Sequence, residues 1–213
     1  MSRILVINAS PMVGGSVTRQ LTAYAAWKLL TEDPEADVTF RDIGTDPPAH
    51  LNDTMIRAFR VPPDKLAPEA AALVEAADIL ANEAIAADMI ILGLPIYNFG
   101  SPSALKAWFD QVVREDKIYR IVDGIPSPLY DGKAAVVITA TGAGLGPCAN
   151  EDALEQVEPY LKSTLKLLGA KTIHFIHADS QACDPDAARK GKNRAYRKLD
   201  RLIEKPTIRQ LAA

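Results

Sequence analysis

The chain has 213 residues, 48% of them apolar, and a formal net charge of −3, which suits one α/β domain with a sizeable core, expected to span residues 1–213. A slightly negative chain gives no electrostatic reason to expect nucleic acid or an anionic membrane surface as partner, and no apolar run approaches the length of a membrane span. The two cysteines, Cys148 and Cys183, form neither a CxxC pair nor a His/Cys cluster, so no metal site is expected; with no apolar signal segment at MSRILVINAS, the expectation is a cytoplasmic protein with free thiols.

The first predicted strand is Ile4–Asn8. The loop Asn8-Ala9-Ser10-Pro11-Met12-Val13-Gly14-Gly15-Ser16-Val17-Thr18 follows it. A helix is predicted over Thr18–Thr31, where Leu21, Ala25 and Leu29 stand near helical spacing. Such a helix start offers backbone N–H groups and a positive dipole end, and Ser10, Ser16 and Thr18 add hydroxyl donors; together these suit a phosphate monoester. An ordinary N-cap at Ser16 or Thr18 explains the same residues. The loop is neither a GxxxxGK[ST] phosphate loop nor a GxGxxG fingerprint, and Asp42, closing the second predicted strand Val38–Asp42, is weak support for a dinucleotide by itself.

Gly44–Lys65 carries four prolines and is expected to be an irregular excursion. A helix follows over Ala67–Ala87, with Leu73, Ala77 and Leu80 on one side, and then the third strand, Met89–Leu94. After that strand comes Pro95-Ile96-Tyr97-Asn98-Phe99-Gly100-Ser101-Pro102. Serine before proline marks a helix start and puts Ser101 at the cap. The aromatics therefore fall in the loop. Tyr97 and Phe99 can offer flat apolar surface to a planar heterocycle, and Asn98 and the loop backbone can bond its carbonyls or nitrogens; both aromatics can also simply pack beneath the loop. A helix over Ala104–Arg114 places Leu105, Trp108, Phe109 and Val112 on one face. Lys117–Asp131, with Gly124, Pro126 and Pro128, is a loop or short hairpin. The fourth strand, Ala134–Ala140, runs into Thr139-Ala140-Thr141-Gly142-Ala143-Gly144, where small residues permit close backbone approach to a ligand or form a bare turn. A helix over Leu154–Leu168, a strand over Thr172–His177 and a helix over Asp186–Ile203 complete the chain; the positive stretch Arg189–Arg201 suits a solvated helix face.

Strands alternating with helices imply an α/β fold of flavodoxin-like type: a doubly wound, five-stranded parallel sheet with helices on both faces. Ligands of such sheets lie beyond the carboxyl ends of the strands, where strand order reverses. The loops after strands one, three and four therefore belong together. The first suits a phosphate and the other two a flat ring, and a mononucleotide such as FMN has both ends.

From Ile4 to about Asp179 the chain resembles the FMN-dependent NADH azoreductases and quinone oxidoreductases of the flavodoxin-like superfamily. Pro95-Ile96-Tyr97-Asn98-Phe99 is similar to the family's Pro-(Met/Ile)-Tyr-Asn-Phe loop. Ser10 with Ser16-Val17-Thr18 resembles its phosphate loop, and Lys106-x-Trp108-Phe109-Asp110 its following helix. Tyr160-Leu161 with Leu168-Gly169 is similar to the segment before its last strand. The resemblance implies that Ser10, Ser16, Val17 and Thr18 hold the phosphate. It implies that Pro95, Ile96, Tyr97, Asn98 and Phe99 hold the flavin ring, with Thr141, Gly142, Ala143 and Gly144 at its other end. The family often has Ser-Arg-Gly-Gly where this chain has Ala140-Thr141-Gly142-Ala143, and a histidine where Leu145 and Gly146 stand. The implied activity is ping-pong transfer of hydride from NADH or NADPH through FMN to quinones or azo compounds. The implied assembly is a homodimer with the active site at the interface, where Lys117–Asp131, with Tyr119, can reach over a partner's flavin. No catalytic acid or base is nominated, and His174 and His177 are expected to be structural. The rivals are an electron-transfer flavodoxin without its own turnover and a flavin-free interaction protein on the same fold.

Overall fold

A computed structural model describes residues 2–142 and 151–204. Its elements are β1 (Arg3–Asn8), α1 (Val17–Glu32), β2 (Asp37–Asp42), α2 (Asp53–Ala58), α3 (Pro68–Ala86), β3 (Met89–Pro95), α4 (Ser103–Val112), β4 (Tyr119–Val122), β5 (Ile125–Pro128), β6 (Lys133–Ala140), α5 (Glu151–Leu167), β7 (Ala170–Ala178) and α6 (Pro185–Ile203). Five strands form one parallel sheet in the order β2-β1-β3-β6-β7. From β1 the chain moves to one side for β2 and to the other for β3, so the switch point lies between β1 and β3.

The near-continuous apolar runs arise because both sheet faces are covered. In β3, Met89 and Ile91 pack into the layer of α1 and α6, beside Leu21, Leu29, Leu199 and Leu202. Their neighbours Ile90, Leu92 and Leu94 pack into the layer of α3, α4 and α5, beside Leu80, Trp108, Phe109 and Leu161. Among the described residues, no helix is long and apolar enough to cross a membrane.

The two excursions are ordered. Gly44–Lys65 contains α2, capped by Asn52, whose side chain accepts the Met55 N–H at 2.9 Å, and a single 3-10 turn at Pro63–Lys65. Gln111 of α4 donates to the Ala49 carbonyl at 2.5 Å, and the Arg114 guanidinium lies 4.5 Å over the Phe59 ring while pairing with Asp78 of α3. Lys117–Asp131 contains a true hairpin. Asp123 and Gly124, both at positive φ (52° and 78°), form the two-residue turn between the paired Val122 and Ile125, the geometry that Asp-Gly favours. The expected Ser101 cap is corrected by one residue: Pro102 occupies the cap of α4, and no side chain caps that helix.

Candidate functional site

The carboxyl ends of β1, β3, β6 and β7 open into one cavity of about 370 Å³, within the range of small-molecule sites. At one end its wall is Ser10, Gly15, Ser16, Val17 and Thr18. Ser16 caps α1 by accepting the Arg19 N–H at 3.4 Å, and its hydroxyl lies 3.2 Å from that of Thr18. Capping and lining the cavity are therefore properties of the same residue. Ser10, Ser16 and Thr18 are 2%, 7% and 1% exposed. In the first turn of α1, the N–H groups of Val17 and Thr18 have no carbonyl one turn earlier to receive them. This end is a neutral donor set at a positive helix terminus, suited to a phosphate.

At the other end stand Pro95, Ile96, Tyr97 and Ala140, and Met12 also lines the wall. The Ile96 N–H donates to the Ala140 carbonyl at 2.9 Å and holds the β3 loop against β6. Tyr97 and Gly100 exchange two backbone hydrogen bonds of 3.0 and 2.9 Å around a two-residue turn. The turn is Asn98-Phe99, with φ of 47° and 62°. Asparagine tolerates this left-handed region; phenylalanine is strained in it. Both residues are exposed at the tip of the loop and do not line the cavity wall, with Phe99 54% exposed. Phe99→Gly should therefore raise the unfolding free energy by about 1 kcal/mol through relief of the strain. A thermal melt compared with wild type checks this, and an unchanged or lower midpoint speaks against stored strain.

The third expected segment is seen in part. Thr141 and Gly142 line the cavity; Ala143 and Gly144 lie outside the described residues. The chain beyond β7 pairs with this segment. Thr141 N–H donates to the Ala178 carbonyl at 3.1 Å, Gln181 N–H to Thr141 at 2.9 Å, and Ala182 N–H to Gly142 at 2.9 Å. These bonds bring Gln181 and Ala182 into the wall. Neither falls in the loops expected from sequence, although a polar Asp179-Ser180-Gln181 run at a strand end in such a fold is a signal of its own; Met12 and Gly15, also in the wall, lie inside the expected Ser10–Thr18 loop. Close approach continues at Gly142, where an added Cβ would lie 3.3 Å from that of Ala182.

Among the described residues, no carboxylate, histidine, lysine or arginine lines this cavity. Among the described residues, no His/Cys/Asp/Glu group could hold a metal ion. Behind the wall, His177 of β7 is hydrogen-bonded through Nδ1 to the Thr139 hydroxyl at 2.8 Å, and Nε2 lies 3.1 Å from Glu158 of α5. Burial lowers its pKa and the Glu158 carboxylate opposes that. A histidine lowered on folding takes its proton more readily in the unfolded chain. The stability it lends is thus complete above the ordinary histidine pKa and is lost as pH falls below it toward the folded value. Melts from about pH 8 to about pH 5 should show this loss, and His177→Gln should flatten it; an unaltered pH profile would count against the assignment.

The family described by a flavodoxin-like fold matches residues 2–203. The chain is 36% identical over 201 residues to an FMN-dependent NADH:quinone oxidoreductase of Azotobacter vinelandii, covering 93% of this chain and 98% of that protein. It is 35% identical over 212 residues to FMN-dependent NADH:quinone oxidoreductase 3 of Pseudomonas aeruginosa, covering 97% and 95%. Its fold is similar to that of an FMN-dependent NADH-azoreductase from Bacillus anthracis solved in complex with FMN, with a TM-score of 0.82 and 21% identity over 95% of this chain and 99% of that one.

Proposed function

The chain belongs to the flavodoxin-like family, alongside FMN-dependent NADH:quinone oxidoreductases, and from that membership we propose that it is an FMN-dependent oxidoreductase carrying hydride equivalents from NADH or NADPH to quinones or azo compounds. The observation that carries this reading is the cavity at the carboxyl edge of the sheet, which joins an end of hydroxyls and helix N–H groups, with no cation among the described residues, to an apolar end. These are the two chemistries that the phosphate and the ring system of FMN require. Bound there, FMN would supply two-electron transfer in two half-reactions, first accepting from the nicotinamide and then giving to the acceptor.

The residues of this chain bind and orient. Ser10, Ser16 and Thr18, with the N–H groups of Val17 and Thr18, would hold the phosphate. Pro95, Ile96 and Tyr97 would seat the ring on one side, with Asn98 and Phe99 flanking it from the loop tip, and Thr141, Gly142, Ala143 and Gly144 would close the other, with Gln181 beside Thr141. Met12 and Tyr97 offer apolar surface that would exclude water from the ring. No side-chain acid or base is assigned, in keeping with a wall that carries no carboxylate or imidazole among the described residues. We further propose a single domain over residues 1–213, a cytoplasmic location, and a homodimer with the site at the interface. The exposed apolar residues of the β4–β5 hairpin, Ile121, Val122 and Ile125, support an arm that packs on a partner.

The test is the visible spectrum of the purified protein, with the released flavin identified, followed by NADH and NADPH oxidation with a quinone. A colourless protein that stays colourless on addition of FMN rejects the reading. A flavin-loaded protein that turns over neither nicotinamide points instead to an electron-transfer flavodoxin.

A further inference from the structure

Arg19 is the third residue of α1, where the helix dipole disfavours a cation, and it does not line the cavity. Its guanidinium lies beside the loop. Nη1 and Nη2 fork onto the Asp42 carboxylate at 2.6 and 2.7 Å, while Nε and Nη2 donate to the Ser10 carbonyl at 3.2 and 2.6 Å. Asp42, at the end of β2, also accepts the N–H groups of Gly44 and Thr45 at 3.1 and 3.2 Å. Arg19 beside it brings the Asp42 carboxyl down to about 2, so the pair is ionised throughout the working pH range. Gly44 lies so close to Ser10 that a Cβ there would overlap the Ser10 carbonyl and sit 3.1 Å from the Pro11 nitrogen.

Two consequences follow for the cavity. The charges of Arg19 and Asp42 cancel beside it, leaving dipoles and hydroxyls to meet an anion. The Ser10 carbonyl, whose oxygen would repel a phosphate if it pointed into the seat, is committed to Arg19, while Ser10 itself remains part of the cavity wall. We propose that Arg19, Asp42 and Gly44 form a clamp that positions Ser10 for the phosphate of the bound mononucleotide, an inference that rests on the reading of the cavity as an FMN site. These are positioning residues, since none of them touches the cavity.

Riboflavin, which has the ring but no phosphate, separates this role from a general structural one. Flavin-free full-length protein is titrated with FMN and with riboflavin by fluorescence quenching. Lysine keeps the charge of Arg19 but cannot span both the carboxylate and the carbonyl. Arg19→Lys is expected to weaken FMN by about tenfold or more while riboflavin affinity stays within about twofold of wild type. An equal loss for both flavins, or an unchanged FMN affinity, overturns the clamp. Should Arg19→Lys not fold, Arg19→Gln is read in the same way; failure of both to fold makes the clamp a folding element and also overturns it. Wild type that does not prefer FMN over riboflavin defeats the FMN-site reading itself. Wild-type preference that Arg19→Lys retains defeats the clamp alone.

Discussion

Alanine at both Ser16 and Thr18 should weaken FMN binding about a hundredfold. The two hydroxyls lie 3.2 Å apart, buried at the first turn of α1 and on the cavity wall. Hydrogen bonds to a charged acceptor are worth roughly 1.5–3 kcal/mol each, and water entering the enlarged seat replaces part of two such bonds, leaving a loss of about 3 kcal/mol. The same change removes the Ser16 cap of α1, so the flavin-free protein should also lose about 1 kcal/mol of stability. Titrating the double variant with FMN checks the first effect and a denaturant melt the second. Lost stability with full FMN affinity would leave Ser16 as a cap and nothing more, and would remove this loop from the site.

Gly191→Ala should destabilise the protein by about 1–3 kcal/mol, although alanine is the better helix former by about 1 kcal/mol in an exposed helix. The reversal of sign comes from packing. Gly191 lies in α6 where the helix crosses the end of β7. A Cβ there would overlap the Asp179 carbonyl oxygen and carboxylate and sit 3.0 Å from the Asp179 carbonyl carbon. Much of the obstacle is backbone, which cannot swing aside as a flexible side chain would. Asp179 is itself buried and paired with Arg194, so the strain should pass into the loop that carries Gln181 and Ala182 to the cavity. The variant should melt lower and also bind FMN less tightly. A higher melting temperature would mean that α6 moves off β7 freely, and would break the proposed link between this helix and the site.

Much of the fold was legible because its signals are local. The apolar run of β3, the spacing of Leu105, Trp108, Phe109 and Val112 in α4, and the hydroxyl cap of α1, open between Ser16 and Thr18 in the sequence, each lie within a few contiguous residues, and the structure realises all three, with Ser16 as the cap. Where local signals conflicted, the reading stopped short. Four prolines masked α2, though Asn52 three residues before Met55 is a cap signal of the ordinary kind. Gly124, Pro126 and Pro128 left loop and short hairpin both open, and Asp123-Gly124, a dipeptide of the hairpin-turn kind, is the signal that decides for the hairpin.

The candidate site divides along the same line. Sequence by itself determined which loops carry small, hydroxyl and aromatic residues at strand ends, because those residue types are chosen for the backbone and donor chemistry of each loop. That chemistry points to Ser10, Ser16, Thr18, Tyr97, Thr141 and Gly142, the family resemblance adds Val17, Pro95 and Ile96, and all nine line one cavity. Tertiary structure alone decided what joins them. Arg19 meets Asp42 across 23 positions of sequence, and Gln181 meets Thr141 across a whole helix and strand. Asn98 and Phe99, the centre of the sharpest motif, are turned outward to the loop tip by a left-handed turn that asparagine tolerates and phenylalanine does not announce. Pairs of this kind leave no periodic trace, because their partners become neighbours only after the order β2-β1-β3-β6-β7 has set the strand ends side by side.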